Sequence, residues 1–302
     1  MFRSLRLGLA LSASILALPA VSSSLAGATS SPPECVVSLS PTATETLFAI
    51  GAGPQVQAVD SDSDYPTTGL PTKRINALNP SVEAVLGICK KTASHPSTKP
   101  DLVVISYDAN DIQQKLTTLG VKVVNQDAPT TLSGAYAQIT QLGELTGHVQ
   151  KANALVGSLK KTIDADIASV PSHSNEKLTV YYEISTNPYY SLTSDTFVGS
   201  LLKSLGLVNI ADGDSTSADA GYPQLSGEYI ASANPKLIFL AGDASVASVA
   251  KRPAFKETSA VVGHHVVELS ADIASRWGPR LGSLMDQLTA AVKAVLADQK
   301  LG

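Results

Sequence analysis

Three strand-and-helix units recur in the same order along this 302-residue chain, and that repetition limits the fold more than any single motif does. The first unit opens on the apolar run Cys35-Val36-Val37-Ser38-Leu39. Ser40-Pro41 then starts a helix, because Pro is favoured at a first helical position behind a Ser or Thr. Thr42 and Glu45 also have capping-box spacing. This helix runs through Leu47-Phe48-Ala49-Ile50, stops at Gly51, and is followed by a strand at 56–59. The second copy has a strand at 178–182, the loop Asn187-Pro188-Tyr189-Tyr190, a helix over 196–205 stopped by Gly206, and a strand at 208–211.

The second unit is a short helix carrying one Glu, then a Pro turn, then an apolar strand. It reads Ser81-Val82-Glu83 to Pro100 and 102–105 in one half, and Ser226-Gly227-Glu228 to Pro235 and 237–240 in the other. The first copy has the longer gap between Glu and Pro, and the excess contains Cys89. The third unit pairs 119–124 with 262–267. Apolar strands alternating with helices imply parallel sheets covered on both faces. The fold class is therefore α/β: two Rossmann-like lobes joined by a single long α-helix, with a ligand cleft between the lobes.

That helix is read from Ile139, Leu142, Leu145, Val149, Ala152, Leu155, Leu159, Ile163 and Ile167, which recur every three or four residues. The spacing predicts about 35 helical residues, ~50 Å long, with Gly147 as the place for a break. A stiff link predicts small lobe displacements on ligand binding. The resulting division is a leader at 1–28, an N-terminal lobe at 29–132, the connecting helix at 133–170 and a C-terminal lobe at 171–302.

The leader is a basic start at Arg3 and Arg6, a Leu- and Ala-rich run, and an Ala-x-Ala site at Ala26 and Ala28. This is the form of a secretory signal, and the run is too short to span a membrane. It places the chain across the cytoplasmic membrane, in a periplasm or at the cell surface. Two cysteines, Cys35 and Cys89, then suggest one disulfide. Pro32-Pro33-Glu34 lacks the small and aliphatic residues that precede a lipidated cysteine, so the chain does not read as a lipoprotein. Lys and Arg number 22 against 26 Asp and Glu. With no basic run, nucleic acid is excluded as a natural partner.

No nucleophile elbow, phosphate-binding loop or His-Glu-x-x-His occurs, so a secreted α/β hydrolase, the rival class, has no motif behind it. His264 and His265 open a predicted strand and point to opposite faces; no metal site is expected. Aromatic residues carry the positive signal. Tyr65, Tyr107, Tyr190 and Tyr222 fall in loops after predicted strands or before a Glu-bearing helix, and open α/β sheets bind ligands beyond the carboxyl ends of strands. Tyr offers a flat apolar face with a polar tip, suited to a large, partly polar ligand. The loop Asp272-Ile273-Ala274-Ser275-Arg276-Trp277-Gly278-Pro279-Arg280 holds the single Trp. Arg276 can hydrogen-bond a ligand amide or carboxylate, whereas Arg280 reads as a structural partner at a helix end.

The run from Val37-Ser38-Leu39-Ser40-Pro41-Thr42-Ala43-Thr44-Glu45 to Gly51, then Asp64-Tyr65-Pro66, then 79–105, resembles the iron-siderophore/cobalamin family of ABC-transporter substrate-binding proteins, most of all its cobalamin-binding members. The resemblance implies no catalysis, no cofactor of the protein's own, and delivery of a corrinoid-like ligand to a permease dimer with its ATPase. A ferric siderophore or haem is the alternative cargo, and a receptor the alternative partner. It also implies that Glu83 and Glu228, one per lobe, dock on permease arginines. Tyr65, Tyr107, Tyr190, Tyr222, Asp272 and Arg276 fall on ligand positions of the cobalamin binders. Those proteins carry Trp where Tyr107, Tyr222 and Ile75 stand, Phe where Tyr190 stands, and no Trp where Trp277 follows the arginine.

Overall fold

The computed structural model describes residues 31–172 and 177–299. The expected leader at 1–28 lies outside them. Twelve strands are present among the described residues: β1 (Val36–Leu39), β2 (Val56–Asp60), β3 (Arg74–Ile75), β4 (Leu102–Ile105), β5 (Lys122–Asn125), β6 (Thr179–Glu183), β7 (Ser185–Thr186), β8 (Tyr189–Tyr190), β9 (Val208–Asn209), β10 (Gln224–Leu225), β11 (Leu237–Leu240) and β12 (Val266–Glu268).

The first five strands form one parallel sheet in the order β3-β2-β1-β4-β5, and a second parallel sheet runs β12-β11-β6-β9. The repeat is visible strand by strand. The order β2-β1-β4-β5 in one sheet has the counterpart β9-β6-β11-β12 in the other. The first sheet adds β3 at its edge. The second lobe adds a small antiparallel sheet, β10-β8-β7. The central strands β1, β4 and β11 are buried at every residue, which is why they read as continuous apolar runs rather than alternating ones.

The helices are α1 (Pro41–Ala49), α2 (Val82–Leu86), α3 (Ile112–Thr118), α4 (Leu132–Thr146), α5 (Val149–Ser169), α6 (Phe197–Ser204), α7 (Gly227–Ala233), α8 (Val246–Val249), α9 (Ser259–Val262), α10 (Ala271–Ala274) and α11 (Leu281–Asp298). Ser40 caps α1 by accepting from the Ala43 N–H, with Pro41 behind it. The matching α6 starts at Thr196, which accepts from the Gly199 N–H. After each of these helices the chain turns at a glycine of positive φ, +87° at Gly51 and +76° at Gly206, a conformation glycine adopts without a Cβ penalty.

The segment expected to be one rod is two helices. At Gly147 the chain enters the left-handed region with φ +78°, its N–H bonds back to the Gly143 carbonyl, and α5 starts two residues later. The helices meet tightly at the corner, where a Cβ on Gly143 would run into the Ala152 Cβ. Tyr136, Ile139 and Leu142 of α4 and Leu159 and Ile163 of α5 join a large core cluster with Leu284, Leu288 and Val292 of α11. No helix among the described residues is long and apolar enough to cross a membrane.

Cys35 and Cys89 form the disulfide expected from their number, closing a sequence separation of 54 across a Cα–Cα distance of 6.0 Å. It ties the start of β1 to the insertion that follows α2. Both cysteines lie in a core with Val37, Val103, Ile105 and Leu116.

Candidate functional site

Because both main sheets are parallel, the carboxyl ends of the strands within each lie along one edge, and the loops leaving that edge carry the aromatic residues. Tyr65 follows β2, Tyr107 follows β4, and Tyr190 lies in β8 just after β6. Tyr222 precedes β10, whose Gln224 pairs with Tyr190. All four are exposed, at 40, 65, 41 and 46% respectively, although Tyr rings commonly bury much of their apolar surface.

The loop after β12 behaves differently. Arg276 is 7% exposed, and its guanidinium is held from several directions. Nη1 donates to Glu45 Oε1 at 2.7 Å and Asp64 Oδ1 at 2.6 Å; Nη2 donates to the Asp62 carbonyl at 3.0 Å and Asp272 Oδ1 at 2.9 Å. Glu45 lies on α1 in the first lobe, whereas Asp272 lies on α10 in the second. Arg280 reaches the same Glu45 through Nε and Nη2 and lies 4.5 Å above the Tyr65 ring. Burial alone pushes the Arg276 guanidinium down, but the hydrogen bonds and charges of Glu45 and Asp64 outweigh it and hold it above its ordinary value. Burial also pushes the Asp64 carboxyl up, and there too Arg276 prevails, holding it below the usual range. Trp277 extends the junction: its indole N–H donates to Gln138 Oε1 on α4 at 2.7 Å.

Beside this junction lie two cavities. One, about 550 Å³, runs between the Ala128-Pro129-Thr130 loop that follows β5 and the second lobe, where Thr196, Thr216 and Tyr222 line it. The other, about 240 Å³, is lined largely by apolar groups, among them Ile184, Leu192, Phe197 and Ala274, together with Tyr182, Arg276 and Trp277. Ala128, Phe197 and Tyr222 line both. Of the sequence-derived ligand positions, Tyr222, Arg276 and Trp277 thus meet at the cavities. Asp272 and Tyr65 meet at the ion cluster behind them. Tyr107 and Tyr190 stand on exposed strand-end elements, one in each lobe.

Glu83 and Glu228 occupy equivalent places. Each is the second residue of its helix, behind a Ser N-cap (Ser81 or Ser226) that accepts from the backbone two residues further on than N1. Both are exposed. A hydrogen bond from the Glu83 backbone N–H, with a second from Ser81, holds the Glu83 carboxyl below its usual value.

Two residues of this region are not among the site residues that the sequence marks. Glu45 looked like the far half of a capping box; in the structure Ser40 is the cap, and Glu45, 2% exposed, serves the two arginines instead. An acid on a helix with no other charged residue is the signal that could have marked it as a paired, buried one. Tyr182 lies in an apolar strand and gave no signal apart from its neighbours.

A sequence profile described as periplasmic binding protein matches residues 36–273. The chain belongs to the periplasmic binding protein family. Members of this family are non-enzymatic transport components, and the fold agrees: a solved structure titled as the periplasmic vitamin B12 binding protein BtuF of Vibrio cholerae superposes with a TM-score of 0.71 at 26% identity, covering 88% of this chain and 98% of that one. A structure from Staphylococcus epidermidis, titled as a possible iron-binding (periplasmic solute-binding) protein, gives a TM-score of 0.72 at 27% identity over 86% of this chain and 99% of that one. Among curated proteins, the uncharacterized ABC transporter substrate-binding lipoprotein YvrC of Bacillus subtilis is 30% identical over 268 residues, 86% of this chain and 80% of that protein. This family member is therefore a substrate-binding protein of the ABC-importer type, built as two α/β lobes.

Proposed function

We propose that this periplasmic binding protein captures a corrinoid in the cleft at the strand ends and delivers it to an importer permease dimer driven by an ATPase. The observation that carries the reading is the placement of exposed tyrosines on strand-end elements of both lobes, with Tyr222 lining cavities of about 550 and 240 Å³. A wide, rigid ring system presents flat apolar faces and a polar edge, which Tyr rings and hydroxyls match. Tyr65 and Tyr107 would meet it from the first lobe, and Tyr190 and Tyr222 from the second. Arg276 and Asp272 act chiefly by joining the lobes behind the ligand, because the terminal nitrogens of Arg276 already have protein acceptors. Trp277, at the wall of the smaller cavity, is the natural reporter of occupancy. The relative titled as a vitamin B12 binder supports a corrinoid.

Iron cargo is the second reading, favoured by the Staphylococcus epidermidis structure titled as possibly iron-binding. Titration of the purified protein with cyanocobalamin, cobinamide, haemin and ferrichrome, followed by Trp277 fluorescence and native mass spectrometry, separates the two. A one-to-one complex with a corrinoid is expected; a complex with haemin or ferrichrome and none with either corrinoid would overturn the assignment.

Docking on the permease is assigned to Glu83 and Glu228. Two exposed acids at matching positions of a duplicated fold suit a partner with twofold symmetry and basic pockets. The chain works outside the cytoplasmic membrane, where its disulfide persists. The Bacillus relative is named a lipoprotein; the reading of this chain as one without a lipid is supported by the pairing of its two cysteines with each other.

A further inference from the structure

The larger cavity, of about 550 Å³, is walled in part by polar groups that the fold leaves unused. Thr193 is the most enclosed of them, at 5% exposed. Its backbone is engaged: the N–H donates to the Gly221 carbonyl at 2.8 Å, and the carbonyl accepts from the Thr196 N–H and hydroxyl. Its hydroxyl has no partner among the described residues, yet it is not sealed away as the unpaired Tyr182 hydroxyl is. Thr193 Oγ1 faces Gly221, a second cavity residue, which has no Cβ to cover it. Buried hydroxyls are nearly always paired, and an exception calls for a ligand or water as the partner. The hydroxyls of Thr130, Ser215 and Tyr222, on the same walls, are likewise without a partner among the described residues.

The charge at this cavity has one sign. Asp195 lines it, is exposed, and makes no hydrogen bond or ion pair with another described residue. Among the described residues no Lys, Arg or His lines it. The segment 193–222, which forms most of the wall, holds Asp195, Asp212, Asp214 and Asp219; its one basic residue, Lys203, lies in the last turn of α6, at the end away from the cavity. The N-terminus of α6, capped by Thr196, meets this wall, and a helix N-terminus favours negative charge. Asp195, the residue before the cap, already supplies that charge, so the helix end needs no anion from outside.

These groups sort cargo by its chemistry. An ionised carboxylate accepts hydrogen bonds and donates none, whereas a hydroxyl does both. A carboxylate entering the cavity meets Asp195 at like charge, with no cation on the wall to offset the repulsion. A primary amide meets it with N–H donors, while the amide carbonyl takes the hydrogen of a free hydroxyl. We propose that this cavity is a subsite for uncharged, N–H-bearing groups of the cargo, primary amides foremost, and that Asp195 is the specificity-determining residue that turns carboxylates away. The proposal rests on the reading of the strand-end cleft as the cargo site and names the part of the cargo that enters this side of it. Corrinoids carry primary amides around the ring edge, where haem carries carboxylates, so the subsite accounts for a choice between those cargoes.

The first probes are benzamide and benzoate, one shape with an amide or a carboxylate, and their binding to the whole protein at neutral pH is read by ligand-observed NMR. Benzamide is expected to bind at least about fivefold more tightly, the size of one like-charge contact near a protein surface. Asp195→Asn closes that gap to within about twofold, mainly by admitting benzoate. Asp214→Asn, which removes an equal charge from the same segment but outside the lining, leaves the gap in place. Thr193→Val weakens benzamide without lowering the melting temperature, because it deletes an unpaired hydroxyl. Equal binding of the two probes, no binding of either, a gap that survives Asp195→Asn, or one that Asp214→Asn closes as well would overturn the proposal. The cargo arm compares cyanocobalamin with its b-, d- and e-monocarboxylic acids, each with one side-chain amide hydrolysed. At least one acid should bind about tenfold more weakly and recover in Asp195→Asn; equal binding of all four would also overturn the proposal. Failure of cyanocobalamin itself to bind would instead count against the corrinoid reading, and the benzamide and benzoate comparison would still decide the subsite.

Discussion

Glu45 on α1 receives both Arg276 and Arg280 from the far lobe, at side-chain exposures of 1, 6 and 19% respectively. This single carboxylate therefore answers two guanidinium groups across the junction between lobes. Arg280 sits at the N-terminus of α11, where a cation is unfavourable against the helix dipole, and Glu45 offsets it. Asp64 and Asp272 complete the surroundings of Arg276.

Removing Glu45 leaves two buried or half-buried cations without their shared partner. Breaking a buried ion pair by deleting one member costs about 3–5 kcal/mol. Glu45→Ala is expected to lose that much in urea unfolding, and Arg276→Ala a similar amount. The double variant should lose much less than the sum of the two, as a mutant cycle on contacting groups does. Additive losses would mean that the two residues do not interact in solution.

Acid weakens the junction in a defined direction. The Asp64 carboxyl is held below its ordinary value by Arg276, against the upward push of burial. A depressed carboxylate contributes stability that is present above the ordinary value of 3.8 and is lost as pH falls through the folded-state value. Asp60 works with the opposite sign, because burial raises it; its contribution is present at low pH and fades as pH rises. The clean readout is thus the difference between the unaltered protein and Asp64→Asn. Asp64 is half-exposed, so that difference should be under about 1 kcal/mol at neutral pH and vanish in acid. A difference that grows in acid would contradict the assignment.

Reduction of Cys35–Cys89 releases a segment of 54 residues. Loop-closure entropy for that length gives about 4 kcal/mol. The double Cys35→Ser, Cys89→Ser variant should fall by about that amount in chemical unfolding, while cargo binding stays near normal because the bond lies at the start of β1, at the opposite end from the strand-end loops. Loss of binding in a folded double variant would show the insertion reaching the cleft.

Charge reversal at the two matching acids separates capture from delivery. In Glu83→Lys, Glu228→Lys, cargo affinity should stay within about twofold and uptake through a reconstituted permease should fall by about tenfold or more. Unchanged uptake would remove both residues from the docking surface.

The sheets were legible because strands buried on both faces are mostly apolar, and short runs such as Leu102-Val103-Val104-Ile105 and Leu237-Ile238-Phe239-Leu240, each behind a Pro turn, read as strands by their length. The helix start at Ser40-Pro41 was legible from cap chemistry that operates within three residues, and the structure shows the same kind of cap at Ser81, Thr196 and Ser226. The corner between α4 and α5 was marked by Gly147, but helical periodicity continues across it, and periodicity alone does not reveal that the axis turns. The ion cluster was hidden for a different reason. Glu45 and Arg276 are 231 residues apart, and nothing local in a carboxylate says which distant cation will bury it. Tyr182 was hidden in the same way, since whether a strand tyrosine finds a partner depends on Phe239 and Tyr222, which reach it only in the folded chain.

The central claim is that cargo is held between the strand-end loops of the two lobes. A crystal structure of the protein grown with cyanocobalamin tests it most directly. The account predicts density for one corrinoid touching Tyr65 and Tyr107 on one side and Tyr190 and Tyr222 on the other, with the Glu45–Arg276 pair intact behind it; density confined to an outer face of either lobe would contradict it.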